Sequence, residues 1–177
     1  MTRSAPPLLS VSVVSHGQMA LVEALLNDIE QHCRSTDLEL ILTQNVSEVW
    51  QVDLARYSFP VTVIQNVRPQ GFGANHNQAF QAAKGQYFCV LNPDVRLLTN
   101  PFVCLLPVLQ DPDVGVCAPR VVDGNGRVED NARRFPALMP LCVKRLVSSV
   151  MQPWCTQMRP TGWLVCLCCS DQKPLRA

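Results

Sequence analysis

Charge is scarce in this chain. Asp, Glu, Lys and Arg make up 16% of the 177 residues and leave a formal net charge of +1. No basic field marks it as a nucleic-acid binder. Long apolar runs are also missing: none approaches the ~18 residues of a membrane-spanning helix. The apolar start, Leu8–Val14, is broken by Ser10 and Ser12 and runs into Ser15-His16-Gly17, so it reads as a strand rather than a signal peptide. Spaced metal-ligand pairs are missing too. Of nine cysteines, Cys33, Cys89, Cys104, Cys117 and Cys142 stand singly among apolar neighbours, as buried cytosolic thiols do. Cys155, Cys166, Cys168 and Cys169 crowd the tail, with neither zinc spacing nor a nearby histidine. What is abundant is apolar side chain, 47% of the whole, enough for one globular domain with a core.

The pattern along the chain alternates strand and helix. Leu8–Ser15 is a first strand, rich in β-branched residues. Met19–His32 follows as an amphipathic helix, with Leu21, Val22, Leu25, Leu26 and Ile29 forming one stripe. Asp37–Thr43 and Val61–Gln65 read as the second and third strands, with a short helix or loop over 48–57 between them. Pro69, Gly71 and Gly73 place the next helix start at Ala74 or Asn75, and Gly85 stops it. Tyr87–Leu91 is a short bounded apolar run, the mark of a buried central strand, and it ends in Asn92-Pro93-Asp94. Asn100 caps a further helix with Pro101 at its first position. Val114–Val122 reads as a strand, Asp123–Gly126 as a tight turn, 127–130 as a hairpin return and Leu141–Met151 as a helix. Strand, helix, strand, helix, strand is the opening of a doubly wound α/β domain with a mostly parallel sheet.

In such a sheet the carboxyl ends of the strands share one edge, where ligands bind. Ser15 and His16, Gln44 and Asn45, Asn66 with the glycine loop, and Asn92 with Asp94 all fall there. His16 is either a ligand contact or a turn residue. The loop G-F-G-A-N-H-N (71–77) lets backbone approach a ligand and precedes a helix N-terminus, which favours an anion. It is neither G-x-G-x-x-G nor a Walker loop. A lone Asp at a strand end can hold a hard cation, and the cation a diphosphate; Asn-Pro-Asp is equally an ordinary turn.

Taken together, β-S-H-G, N-x-x-P-x-G-F-G-x-N-x-N, V-L-N-P-D, N-P-F and D-P-x-V-G over about residues 8–140 resemble the GT-A glycosyltransferases of family 2, in particular the rhamnosyltransferase-like branch. R-R-F-P (133–136) resembles that branch too. The resemblance implies a GT-A, Rossmann-like fold and inverting transfer of rhamnose or another hexose in polysaccharide biosynthesis. The donor would be a nucleotide-diphosphate sugar such as dTDP-rhamnose or a UDP-sugar, and the acceptor a saccharide or a lipid-linked saccharide. It implies that Asp94 matches the last acid of the family's metal motif, for Mg or Mn, with Asn92 in place of the first acid. Ser15, Gln44 and Asn45 would frame the nucleotide base, Gln44 standing where many relatives have Asp, with His16 beside them as a candidate donor contact. Asn66, Gly71, Gly73 and Asn77 would form the donor loop, and Arg133 or Arg134 would help neutralise phosphate, with Arg134 as the donor-site residue and the other solvated at the surface.

The resemblance also implies a D-W-x-x-G-x-F-x-L-x-R segment and a later acidic pair carrying the general base, and neither is found. Suitable codons for Thr161–Arg176, read in a shifted frame, spell D-W-L-A-G-L-F-V-L-F-R-S-E-A-F. The expectation is therefore a donor-binding half (8–140), the start of an acceptor half (141–160) and an out-of-frame tail (161–177). Such a truncated chain has no catalytic base of its own and little or no transferase activity. A non-catalytic nucleotide-sugar-binding module is the alternative. A nucleotidyltransferase would want a basic glycine loop after the first strand, and a dehydrogenase a dinucleotide fingerprint. The thiols and the lack of a signal point to the cytoplasm, peripheral at the inner membrane face.

Overall fold

The computed structural model describes residues 5–49, 52–122 and 127, together with the backbone of 159–160 and 166–169. The elements are β1 (Leu9–Ser15), α1 (Met19–His32), β2 (Leu38–Gln44), a 3-10 turn (Leu54–Arg56), β3 (Val61–Gln65), α2 (Phe72–Ala82), β4 (Tyr87–Val90), β5 (Val95–Arg96), α3 (Phe102–Val108), β6 (Val116–Cys117), β7 (Arg159–Pro160) and β8 (Cys166–Cys169). The main sheet has the order β3-β2-β1-β4-β8-β6. Its first four strands are mutually parallel, with Leu9 beside both Leu38 and Tyr87 and Leu40 beside Val61. The strand Cys166–Cys169 runs antiparallel between β4 and β6, and β5 pairs with β7.

The alternation inside β1 shows why its serines are there. Leu9, Val11 and Val13 join Val22, Leu25, Leu26 and Ile29 of α1 in the main core, with Leu38, Leu40, Leu42, Cys89 and Phe102. The other face of the sheet carries a smaller apolar cluster, Ile41, Ala79 and Phe88, beneath α2. Because successive side chains of a strand face opposite ways, Ser10 and Ser12 fall on the face opposite to Leu9, Val11 and Val13. Both are fully buried, so both need hydrogen-bond partners. Ser10 Oγ donates to Glu39 Oε1 at 2.7 Å and accepts from Gly85 N at 2.8 Å, while Lys84 N donates to the same Glu39 oxygen at 2.6 Å. This latch closes the amino-terminal edge of the sheet. Gly85 must be glycine: an added Cβ would lie 2.6 Å from Ser10 N.

A second buried carboxylate secures the far side of β4. Asp28 on α1 receives Arg96 Nε and Nη2 at 2.7 and 2.8 Å, and Leu97 N at 3.0 Å. The chain leaving Asp94 is thereby tied to α1 two residues later.

Several expectations need adjustment. The second helix begins at Phe72, not Ala74 or Asn75; a glycine is costly within a helix interior, but Gly73 sits in the first turn, where the backbone N–H has no intrahelical partner to lose. Leu21 is exposed and lies outside the core stripe. Val114–Val122 shrinks to a two-residue strand at Val116–Cys117, with bridge residues at 121–122. Asn100 Oδ1 accepts from Phe102 N at 3.0 Å, but the N-cap of α3 is Pro101, expected at the first helical position. Cys33 and Cys89 are buried thiols, and burial, then the charge of Asp28, pushes Cys33 up to about 12. Cys104, expected as another buried thiol, is instead exposed and disulfide-bonded. That removes part of the argument from thiols to a cytoplasmic location. The 123–126 turn, the rest of the hairpin, Arg133, Arg134, Cys142, the 141–151 helix and Cys155 lie outside the described residues.

Candidate donor-site rim

The strand order 3-2-1-4 reverses direction between β1 and β4, and ligands of open α/β sheets sit at the carboxyl edge beside such a switch. Ser15 and His16 leave β1 on one side of it, and Asn92, Pro93 and Asp94 leave β4 on the other. The parallel ladder continues past the strand ends, since Leu91 N donates to Ser12 O, Asn45 N to Ser15 O and Asn66 N to Gln44 O, at 2.9–3.0 Å. That continuation carries the polar residues to a common rim in fixed register.

An amide network holds the rim together. Gln70 N donates to Asn45 Oδ1 at 2.7 Å and Asn45 Nδ2 donates to Gln70 O at 3.0 Å. Asn66 Nδ2 bridges Asn45 Oδ1 (2.8 Å) and Asn75 Oδ1 (2.7 Å). Asn75 Nδ2 returns to Gln70 O at 3.2 Å. Asn45, Asn66 and Asn75 are all buried. The network therefore fastens the loop entering α2 to the ends of β2 and β3. Ser15 is buried and also engaged, donating to Glu48 Oε2 at 3.1 Å and accepting from Gln18 N at 3.2 Å. His16 is exposed and its Nδ1 meets Asn45 Nδ2 at 2.9 Å.

Two glycines differ from the one in the latch. Cβ atoms added at Gly71 or Gly73 would meet nothing within 4 Å. The space over the N-terminus of α2 is open, as an approaching ligand requires. Gln44 is buried at the end of β2. Asn77 is exposed on α2, away from the amide network. Asn92 is half-buried, and its carbonyl accepts from Val95 N at 3.3 Å, closing the turn around Asp94.

Asp94 is half-buried, and burial holds its carboxyl above the usual range, a backbone hydrogen bond opposing. No cluster of three His, Cys, Asp or Glu occurs among the described residues. The donor set here is a single carboxylate, with the Asn92 amide two residues before it in sequence. That fits a hard cation of the magnesium type, which binds through one or two carboxylates and takes its remaining oxygens from phosphate and water. It does not fit a closed structural zinc site.

Residues not anticipated from sequence include Asn75, Gln70, Glu48, Ser12 and His76. His76 Nδ1 lies 2.8 Å from Ser12 Oγ, and its ring meets Phe72 edge-on. Its Nε2 is buried with no hydrogen-bond partner among the described residues. Burial, then the nearby His16, pushes this imidazole down to about 4. A signal was available in the spacing: Asn75, His76 and Ala79 share one face of α2, and all three are buried.

Comparison with known proteins decides the family. The profile of Glycosyl transferase family 2 matches residues 10–169. The chain belongs to glycosyltransferase family 2. This family 2 chain is 32% identical over 108 residues to an uncharacterized glycosyltransferase of Haemophilus influenzae, covering 60% of this chain and 36% of that protein. It resembles the mannosyltransferase PcManGT of Pyrobaculum calidifontis, solved with GDP-Man and Mn2+, with a TM-score of 0.53 and 20% identity over 68% of this chain and 37% of the other. The TarS 1–349 structure of S. aureus gives a TM-score of 0.57 and 18% identity, covering 75% and 39%. These likenesses establish the GT-A α/β fold. The chain spans little more than a third of the length of these relatives.

Proposed function

We propose that this family 2 chain binds a nucleotide-diphosphate sugar at the carboxyl rim of its sheet, and that a divalent cation held by Asp94 grips the diphosphate. The observation that carries this reading is the convergence of Asp94 and His16 on the two sides of the β1–β4 switch, beside an open helix N-terminus. A cation there would stabilise the departing diphosphate as a Lewis acid, while the amide network keeps the donor loop in place. PcManGT, of the same fold, was solved with GDP-Man and Mn2+. Transfer of rhamnose or a related hexose, with inversion, to a saccharide or lipid-linked acceptor in polysaccharide assembly is the reaction such a donor site would serve; turnover by this chain itself is expected to be slight, since no acidic pair carrying a general base is found in its sequence. Among the described residues no helix is long and apolar enough to cross a membrane; a cytoplasmic site of action, at the inner membrane face, belongs to the proposal.

The test is calorimetric binding of UDP, dTDP and GDP with and without Mn2+. Cation-dependent binding that Asp94→Ala weakens at least tenfold supports the reading, and cation-independent or Asp94-independent binding sinks it. Turnover of a nucleotide sugar separates a working transferase from a binding module.

The out-of-frame origin of the tail is a separate part of the proposal. The strand Cys166–Cys169 does not decide it, because either frame encodes an apolar run here: V-C-L-C-C in this chain, L-F-V-L-F in the shifted one. Sequencing the gene through and past Thr161 does. A shifted frame that fails to continue into an acidic pair rules the idea out.

A further inference from the structure

We propose that Asn45 is a positioning residue that locks His16 in the tautomer with its proton on Nε2, and that this N–H is donated to the nucleoside diphosphate bound at the rim. The inference rests on the donor-site reading and adds a role within it.

The backbone of Gln70 fixes the direction of every bond. A peptide N–H can only donate and a peptide carbonyl can only accept. Gln70 N faces one end of the Asn45 amide at 2.7 Å and Gln70 O faces the other at 3.0 Å. The amide therefore cannot be turned over: Oδ1 meets Gln70 N and Nδ2 meets Gln70 O. The same Nδ2 lies 2.9 Å from His16 Nδ1. His16 Nδ1 must accept, so a neutral ring carries its proton on Nε2.

Asn45 has no bond left for a ligand. Its oxygen receives Gln70 N and Asn66 Nδ2, and its nitrogen serves Gln70 O and His16 Nδ1. It is also only 2% exposed. His16 is exposed, and what it offers is a hydrogen-bond donor rather than a lone pair. Its expected partner is therefore an oxygen acceptor on the nucleotide, and it is unsuited as a ligand to the cation. The burial of Asn45 thus controls the chemistry of an exposed neighbour.

Long-range proton–nitrogen NMR of the imidazoles in 15N-labelled protein at pH 8 reads the tautomer directly. We expect Nε2–H at His16 in the wild type. In Asn45→Asp a carboxylate oxygen faces Nδ1, and a proton should move there. His16→Phe should weaken binding of UDP with Mg2+ by about tenfold, the loss of one hydrogen bond to an anion, and His16→Gln, which retains an N–H, should recover part of it. The wild-type tautomer and the two His16 variants suffice if Asn45→Asp does not fold. An Nδ1–H tautomer in the wild type overturns the lock, and unchanged UDP affinity in His16→Phe overturns the contact. Failure of the wild type to bind any of UDP, dTDP or GDP, with the tautomer as expected, removes the donor-site reading and the contact with it while the lock stands.

Discussion

The two edges of one parallel sheet are built for different purposes. At the amino edge Glu39 gathers Ser10 and Lys84, and Gly85 lies so close to β1 that no side chain fits. At the carboxyl edge the connecting groups are neutral amides, and the glycines at 71 and 73 face open space. Glycine appears in both, for opposite reasons. Gly85 is required by what lies against it, whereas Gly71 and Gly73 border open space. Comparing the two edges therefore separates residues that maintain the fold from those proposed to receive a ligand.

The largest expected effect tests the amino edge. Gly85→Ala should cost about 3 kcal/mol, the upper range for overpacking, because the atoms it meets are backbone of Leu9 and Ser10 together with the hydrogen-bonded Ser10 Oγ. Urea unfolding followed by circular dichroism measures it, and a loss below about 0.5 kcal/mol would mean that the contact relaxes freely.

Next comes His76, beneath the carboxyl edge. Its folded pKa of about 4 lies below the ordinary 6.5. Between these values the unfolded chain binds a proton that the folded chain refuses, so stability falls as pH drops from about 6.5 toward 4. The full shift corresponds to about 3 kcal/mol. His76→Gln should flatten this part of the stability–pH curve. An equally steep curve in the variant would assign the acid sensitivity elsewhere.

Removing the latch carboxylate, Glu39→Ala, should cost about 2 kcal/mol by leaving the Lys84 amide and the Ser10 hydroxyl short of an acceptor, without changing nucleotide affinity at the far edge. A matching loss of affinity at temperatures where the variant remains folded would show that the edges are not independent. The smallest effect belongs to Gly71→Ala. It should leave stability within about 0.5 kcal/mol and weaken UDP binding several-fold, as measured by calorimetry. A large loss of stability would contradict the open space seen there.

Much of the scaffold was legible because periodicity reports burial. Met19–His32 and Val61–Gln65 have the bounds that their patterns imply, and the parallel pairing of β1 to β4 is the one that alternating strands and helices imply. The rim residues Ser15, His16, Gln44, Asn45, Asn66 and Asp94 also fell where strand ends put them. What was not legible depends on contacts across the chain. Asn75 lies inward and Asn77 outward, and which of the two faces the sheet is set by how α2 packs, with Asn75, His76 and Ala79 buried together. Asn45 looked like a ligand contact, whereas its hydrogen-bonding capacity is used by Gln70, Asn66 and His16. No local pattern reveals that saturation, because its partners stand 21 to 29 residues away.

The strand Val61–Gln65 has a practical consequence. It forms one edge of the main sheet among the described residues, it carries no charge, and both Thr62 and Val63 are exposed. Proteins commonly guard such margins with lysine, proline or a bulge. Concentrated preparations of this chain should therefore tend to extend the sheet from one molecule to the next, and a lysine at Thr62 is the simplest way to keep them dispersed.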